Sequence, residues 1–325
     1  MANINRRQFL RLMALGMGAV AVDQFMVACG LKENITPTLV AAEHETAFPT
    51  NAPMAGPDLV VARGGEPEQL VRQAISGFGG IETVVSKGAD VIIKPNICNG
   101  NHSYEYAATT NPWVMAALVK LCYEAGAARV RVMDNPYAGS PEQAYQKSGI
   151  AQQVESAGGE MVIMSPFMYK ESDIPQGVDI RQVEIYDEIL NTDVLINVPI
   201  AKHHGRARLT LGMKNLLGVI KDRPAMHRNL GQRIADLTSL VKPTLTVVDA
   251  VRLLMDHGPG GGNLDDVKKM DTIIVSRDIV AADSYAASLF GLQPEELEYV
   301  RAGAEMGLGS SKLDELRIEE VTVNA

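Results

Sequence analysis

From residue 58 onward, short apolar runs alternate with stretches whose apolar residues recur at helical spacing. Residues 58–62 and 90–94 read as strands, and Val91-Ile92-Ile93 is the β-branched run expected of a strand buried on both faces. Apolar runs at 129–133, 160–164, 193–199, 244–250 and 272–276 read the same way. Between them, helices are predicted over 67–78, 112–125, 229–240 and 280–290. The segment 112–125 has the clearest signature, with Asn111 as N-cap, Pro112 in the first turn and Gly126 past the end. Its apolar residues Trp113, Val114, Ala117, Leu118, Leu121, Cys122 and Ala125 fall on one stripe. Ser140-Pro141-Glu142-Gln143 has the form of a capping box. Repeated strand–helix units predict an α/β fold: a three-layer, mostly parallel sheet with helices on both faces and right-handed crossovers. One such domain is expected over residues 58–325.

In open parallel sheets the working crevice lies beyond the carboxyl ends of the strands. Predicted strands run there into Lys94-Pro95-Asn96, Asp134-Asn135, Lys202-His203-His204 and Asp249. If the sheet forms as read, these groups converge on one edge, and that edge is the expected site.

The first thirty residues bear on the compartment. Asn5-Arg6-Arg7-Gln8-Phe9-Leu10-Arg11 precedes an apolar run from Leu12 to Val22, the pattern of a twin-arginine export signal. That run falls well short of the roughly 20 residues a membrane span needs. Met26-Val27-Ala28-Cys29 then reads as a lipoprotein cleavage box with Cys29 as the lipidated residue, although methionine stands where leucine is usual. Simple cleavage and an uncut anchor are the alternatives. Residues 30–57, with Pro37, Pro49, Pro53 and Pro57, read as a linker. The expected partners are therefore the twin-arginine machinery and, only through a lipid anchor, a membrane surface.

Composition is that of a globular protein, with 46% hydrophobic and 21% charged residues. The formal net charge is -9, and Arg6, Arg7 and Arg11 against Asp23 leave the remainder still more acidic. Such a field repels nucleic acid and anionic membranes, so nucleic acid is not an expected partner. Cys29, Cys98 and Cys122 show no CxxC or cluster spacing, which argues against an iron–sulfur centre on this chain. Cys122 lies on the apolar stripe and is read as core, with a Cys98–Cys122 disulfide as the alternative.

Against the acidic background, the segment 202–233 holds Lys202, Arg206, Arg208, Lys214, Lys221, Arg223, Arg228 and Arg233 with only Asp222 opposing. The functional reading is a pocket for an anionic ligand; the plain one is a solvated basic surface. Adjacent His203 and His204 on an extended segment point to opposite sides, so both on one metal is awkward. A metal held by one of them with His227, His257, Asp134 or Asp249 stays open, although no HExxH spacing is present. Gly258, Gly260, Gly261 and Gly262 form a loop whose backbone N–H groups can approach an anion. It is neither a dinucleotide fingerprint nor a phosphate loop, and GxSxG is absent. In Leu209–Ile220 an apolar stretch surrounds Lys214-Asn215. A lysine desolvated there has a lowered pKa and suits a base or a Schiff-base amine, unless it reaches out to water.

Lys94-Pro95-Asn96, Ile196-Asn197-Val198-Pro199 before Lys202-His203, and Leu209-Thr210-Leu211-Gly212-Met213-Lys214-Asn215-Leu216-Leu217-Gly218 together resemble the domain-of-unknown-function 362 family. Val247-Val248-Asp249-Ala250 and the glycine loop fit that pattern, and the likeness covers roughly residues 58–310. Many family members carry ferredoxin-like cysteine motifs; this chain has none, so no redox role carries over. The basic segment is also similar, by analogy alone, to nickel-pincer racemases, which set lysine and histidines around a phosphorylated organometallic cofactor. The combined expectation is an exported α/β protein that binds an anionic small molecule or cofactor. Lys202, His203, Lys214 and Asp249 are the catalytic candidates; Lys94, Asn96, Asp134, His204, Asn215 and the glycine loop would bind the ligand. General acid–base chemistry on a carboxylate or phosphate fits these residue types. The alternatives are a non-catalytic accessory subunit of an exported redox complex and a metal-dependent enzyme. No reaction, substrate or cofactor is named by the sequence.

Overall fold

In the computed structural model, which describes residues 56–323, the β-branched runs become neighbouring strands of one large sheet. Arg6-Arg7, Cys29 and the linker up to residue 55 lie outside the described residues. The strands are β1 (Leu59–Arg63), β2 (Asp90–Pro95), β3 (Arg129–Val132), β4 (Glu160–Met161), β5 (Tyr169–Asp173), β6 (Gln182–Tyr186), β7 (Val194–Val198), β8 (Ile200–His204), β9 (Arg208–Thr210), β10 (Leu245–Leu254), β11 (Val267–Ser276) and β12 (Ile318–Thr322). The order across the sheet is β12-β1-β11-β10-β7-β2-β3-β4, with β8 added beside β10 and β9 beside β8. Strands β5 and β6 form a separate hairpin.

Side-chain alternation along each strand supplies two cores. Val60 and Ala62 face one side with Val91, Ile93, Val130 and Val132, where α1 (Pro67–Gly77) and α2 (Pro112–Glu124) pack. Leu59 and Val61 face the other with Ile92, Leu195 and Ile274, against α3 (Leu230–Val241), α4 (Ile279–Ser288) and α5 (Glu298–Glu305). Helices on both faces make the fold a three-layer α/β domain. Helix α1 shows how the pattern works locally: Leu70, Val71, Ala74 and Ile75 are all but fully buried. Each of the larger three contributes about 2 kcal/mol by leaving water. Helix α2 begins as expected, with Asn111 Oδ1 accepting from the Trp113 N–H at 3.0 Å and Pro112 in the first turn.

The sheet is mostly parallel, and its departures have local causes. Strand β11 runs antiparallel to both β1 and β10. The β10–β11 hairpin extends well beyond 244–250 and 272–276, because exposed residues such as Lys268 and Lys269 interrupt the apolar pattern in its outer half. No α-helix intervenes there; the glycine loop and a short 3-10 turn, Leu264–Asp266, make the hairpin's connection. Residues 200–210 form the β8–β9 hairpin, and the strand expected over 160–164 shortens to Glu160–Met161. Cys98 and Cys122 are both buried free thiols. No helix among the described residues is long and apolar enough to cross a membrane.

Candidate functional site

Strands β2, β3, β7 and β8 deliver polar residues to one buried centre. Lys94, at the end of β2, is fully buried and donates to Asp134 Oδ1 at 2.8 Å, the Pro95 carbonyl at 2.9 Å and Asn215 Oδ1 at 3.2 Å. Asp134 Oδ2 accepts from the Ile97 N–H at 2.7 Å, so its carboxylate is engaged on both sides. Asn96 Nδ2 donates to Asn215 Oδ1 at 3.0 Å, and Asn96 Oδ1 accepts from Lys202 Nζ at 2.9 Å. Lys202 also donates to the Ala108 and Pro259 carbonyls, at 2.6 and 3.0 Å. A continuous network thus joins Lys94, Asp134, Asn215, Asn96 and Lys202.

Asn215 is placed by a single helical turn, Gly212–Asn215. Asp283 of α4 accepts from the Gly212 and Met213 N–H groups at 2.6 and 2.8 Å and anchors the start of that turn. Asn197, within β7, joins Asn215 to Gly212: it accepts from Asn215 Nδ2 at 2.8 Å and donates to the Gly212 carbonyl at 2.9 Å. Gly218 closes the far side. A Cβ there would lie 2.1 Å from Asp134 Oδ1 and 2.6 Å from Lys94 Nζ, so only glycine lets the chain pass this close.

Lys214 differs from its neighbours. It retains 8% exposure, and its ammonium has no hydrogen bond or ion pair among the described residues. Burial, reinforced by the nearby Lys202 charge, pushes its pKa down to about 8. Burial also pushes Lys94 and Lys202 downward, against the pull of Asp134 on Lys94. His204 is driven down to about 3 by burial and by the Lys214 and Lys202 charges, so its ring is neutral at pH 7. Its Nδ1 accepts from the Arg206 and Ala207 N–H groups at 3.1 and 3.2 Å, which leaves Nε2 carrying the proton as a donor. Thr210 pairs with Lys202 across the β8–β9 hairpin, so the two side chains share a face. The Thr210 hydroxyl is buried and has no partner among the described residues.

The other expected residues lie differently. His203 alternates to the opposite face from Lys202 and His204, where its Nδ1 accepts from the Gly258 N–H at 3.0 Å. Asp249 is fully buried and accepts from the Asn111 and Val251 N–H groups at 2.6 and 3.0 Å, at the irregularity in the β10–β11 register. It braces the start of α2 rather than joining the lysines. The loop 258–262 does cover the centre, but it turns the Pro259 carbonyl to Lys202 and spends its Gly258 N–H on His203. The Gly261 N–H is also engaged, by the His257 carbonyl at 3.3 Å, so two of the loop's amides are spent within the chain. A Cβ at Gly258 would meet the His203 carbonyl at 1.8 Å, which accounts for glycine there. His257 sits exposed against Asp266, and His227 Nδ1 lies 3.2 Å from the Arg223 carbonyl. Among the described residues no three His, Cys, Asp or Glu side chains group as metal ligands.

The basic segment divides as well. Arg208 pairs with Glu296, Lys221 with Glu184 and Arg233 with Asp179, on the surface or at its margin. Lys202 and Lys214 turn inward, and Arg223, which donates to the Asn135 carbonyl, lies close enough to lower both Lys94 and Lys214. Asn197 and Thr210 join the site although the sequence singles out neither as a site residue, and Arg223 stands out there only as one charge of the basic segment. An asparagine amid the apolar run of β7 is the available signal for Asn197; both it and Thr210 lie within the motifs that carry the family resemblance.

The sequence pattern defined as "Domain of unknown function (DUF362)" matches residues 91–288, which span every part of this centre. The chain belongs to the DUF362 family. This DUF362 chain is 25% identical over 248 residues to a thylakoid-associated protein of Synechocystis sp., covering 73% of this chain and 74% of that one. Among solved structures, the lactate racemase apoprotein of Thermoanaerobacterium thermosaccharolyticum is similar at TM-score 0.44 and 11% identity, over 71% of this chain and 56% of that one. A Thermotoga maritima protein is similar at TM-score 0.38 and 12% identity, over 70% of this chain and 60% of that one. The DUF362 chain thus spans less than two thirds of either structure.

Proposed function

We propose that this DUF362 protein is exported and binds a small anion, a carboxylate or phosphate, at the Lys202–Lys214 centre. The observation that carries the reading is an imbalance of charge. Lys94, Lys202, Lys214 and Arg223 cluster around one carboxylate, Asp134, which is already bonded to Lys94. Buried cations without counter-charge are costly, and an anion beside Lys214 removes that cost. The unpartnered Thr210 hydroxyl and the neutral His204 supply hydrogen-bond donors on the same side.

Chemistry at the site rests on Lys214. An amine with a pKa near 8 is partly neutral at physiological pH and serves as a general base within reach of an oriented substrate. His204, held as a donor, suits a developing negative charge on oxygen. The export part of the reading rests on Arg6-Arg7 and the cleavage box at Cys29. The thylakoid association of the cyanobacterial relative supports a place near a membrane.

Calorimetric titration with phosphate and with oxalate tests the binding. Saturable binding in the native protein, lost in Lys202→Ala and Lys214→Met at unchanged circular dichroism, is the expected result. Binding that survives both substitutions defeats the proposal.

A further inference from the structure

A second site lies apart from the lysine network, in a cleft of about 400 Å³. One wall is aromatic: Tyr104 and Trp113 meet edge to face, with ring centroids 4.9 Å apart. Arg252 of β10 lies over the Tyr104 ring at 5.4 Å. Its guanidinium makes no hydrogen bond or ion pair among the described residues. The remaining charges of the lining are accounted for. Glu68 is paired with Lys120 and Arg72, Lys269 with Asp271 at 3.1 Å, and Glu66 stands exposed at the rim.

Asn111 adds a second unused donor. Its side chain is 4% exposed, and its Oδ1 is spent on capping α2. The amide Nδ2 makes no hydrogen bond among the described residues and keeps some contact with solvent. The cleft therefore combines an aromatic wall with donors not used within the described residues; the Glu105 carboxylate, whose charge reaches Arg252, is not among its lining residues. A guanidinium held over a ring keeps its planar fork for a carboxylate. Clefts of roughly this volume enclose small organic ligands.

We propose that this cleft binds a small aromatic carboxylate, its ring against Trp113 and Tyr104 and its carboxylate on Arg252 and Asn111. The site is independent of the lysine centre: none of Lys94, Lys202 and Lys214 lines it. It gives the protein a recognition surface at the N-terminal ends of α1 and α2.

Trp113 is the chain's one tryptophan, so its emission reports on this cleft directly. Full-length protein is titrated with benzoate, and with benzyl alcohol as the uncharged comparison. The expected result is a saturable change in emission with benzoate, weakened about tenfold in Arg252→Gln by loss of the bidentate contact. Arg252→Lys keeps the charge, loses the fork, and falls between the two; it also decides the matter if Arg252→Gln does not fold. No saturation with benzoate in the millimolar range overturns the proposal, as does equal affinity for benzyl alcohol. A response that persists in Arg252→Gln and vanishes in Lys214→Met overturns it too, and assigns the anion to the lysine centre.

Discussion

Lys214→Met is the sharpest test of the buried charge. The folded protein releases the Lys214 proton near pH 8, whereas the unfolded chain holds it to about 10.5. Between these values the unfolded state binds more protons, so stability rises with pH. A tenfold difference in proton affinity corresponds to about 1.4 kcal/mol, which makes the penalty on the folded state about 3 kcal/mol at pH 7. At pH 10, where the unfolded lysine is itself partly neutral, the penalty falls to about 1 kcal/mol. Methionine fills similar space without a charge and removes the pH-dependent part. Urea denaturation of both proteins, in a buffer without phosphate or carboxylate, gives the difference at each pH. The variant is expected to gain relative to the native protein by about 2 kcal/mol more at pH 7 than at pH 10. Packing losses from the substitution shift both values equally and leave this change intact. A stability difference that does not vary with pH refutes the claim that Lys214 is buried as an uncompensated cation. Added phosphate should shrink the pH dependence by supplying the missing counter-charge.

Other consequences follow from single contacts. Gly218→Ala forces a methyl group into Asp134 and Lys94 and should cost about 2–4 kcal/mol in urea denaturation; Gly205→Ala, with nothing within 4 Å, should change little. Asp236→Ala leaves the Val178, Asp179 and Ile180 N–H groups without their acceptor, at a cost of about 3–5 kcal/mol. A retained denaturation midpoint would show that this loop contributes little. Replacing Arg6 and Arg7 by lysine should leave the protein in the cytoplasmic fraction, and unchanged fractionation would remove the export reading; Cys29→Ser should release the protein from membranes, and no release would remove the lipid anchor alone.

The alternation of strand and helix, the start of α2 at Asn111-Pro112 and the burial of β2 were all legible in the chain, because hydrophobic period and capping are local properties. The convergence of Lys94, Asn96, Asp134 and Lys202 also followed from their places at strand ends. Pattern could not decide which face each residue takes at the end of a strand. His203 and His204 differ by one position, and the pleat of β8 alone sends His204 to the lysines and His203 to the glycine loop. Asp249, like Asp134, stood where a predicted strand meets the expected edge, yet it accepts from backbone amides at Asn111 and Val251 instead of joining the lysines. The density of positive charge along 202–233 was visible, but its division was not. Partners on distant segments draw Arg208, Lys221 and Arg233 outward, while packing around Asn215 seals Lys214 inside without a partner. A charge pattern is a property of sequence; desolvation and unmet hydrogen bonds exist only once remote segments close around the group, and they are what the candidate chemistry rests on.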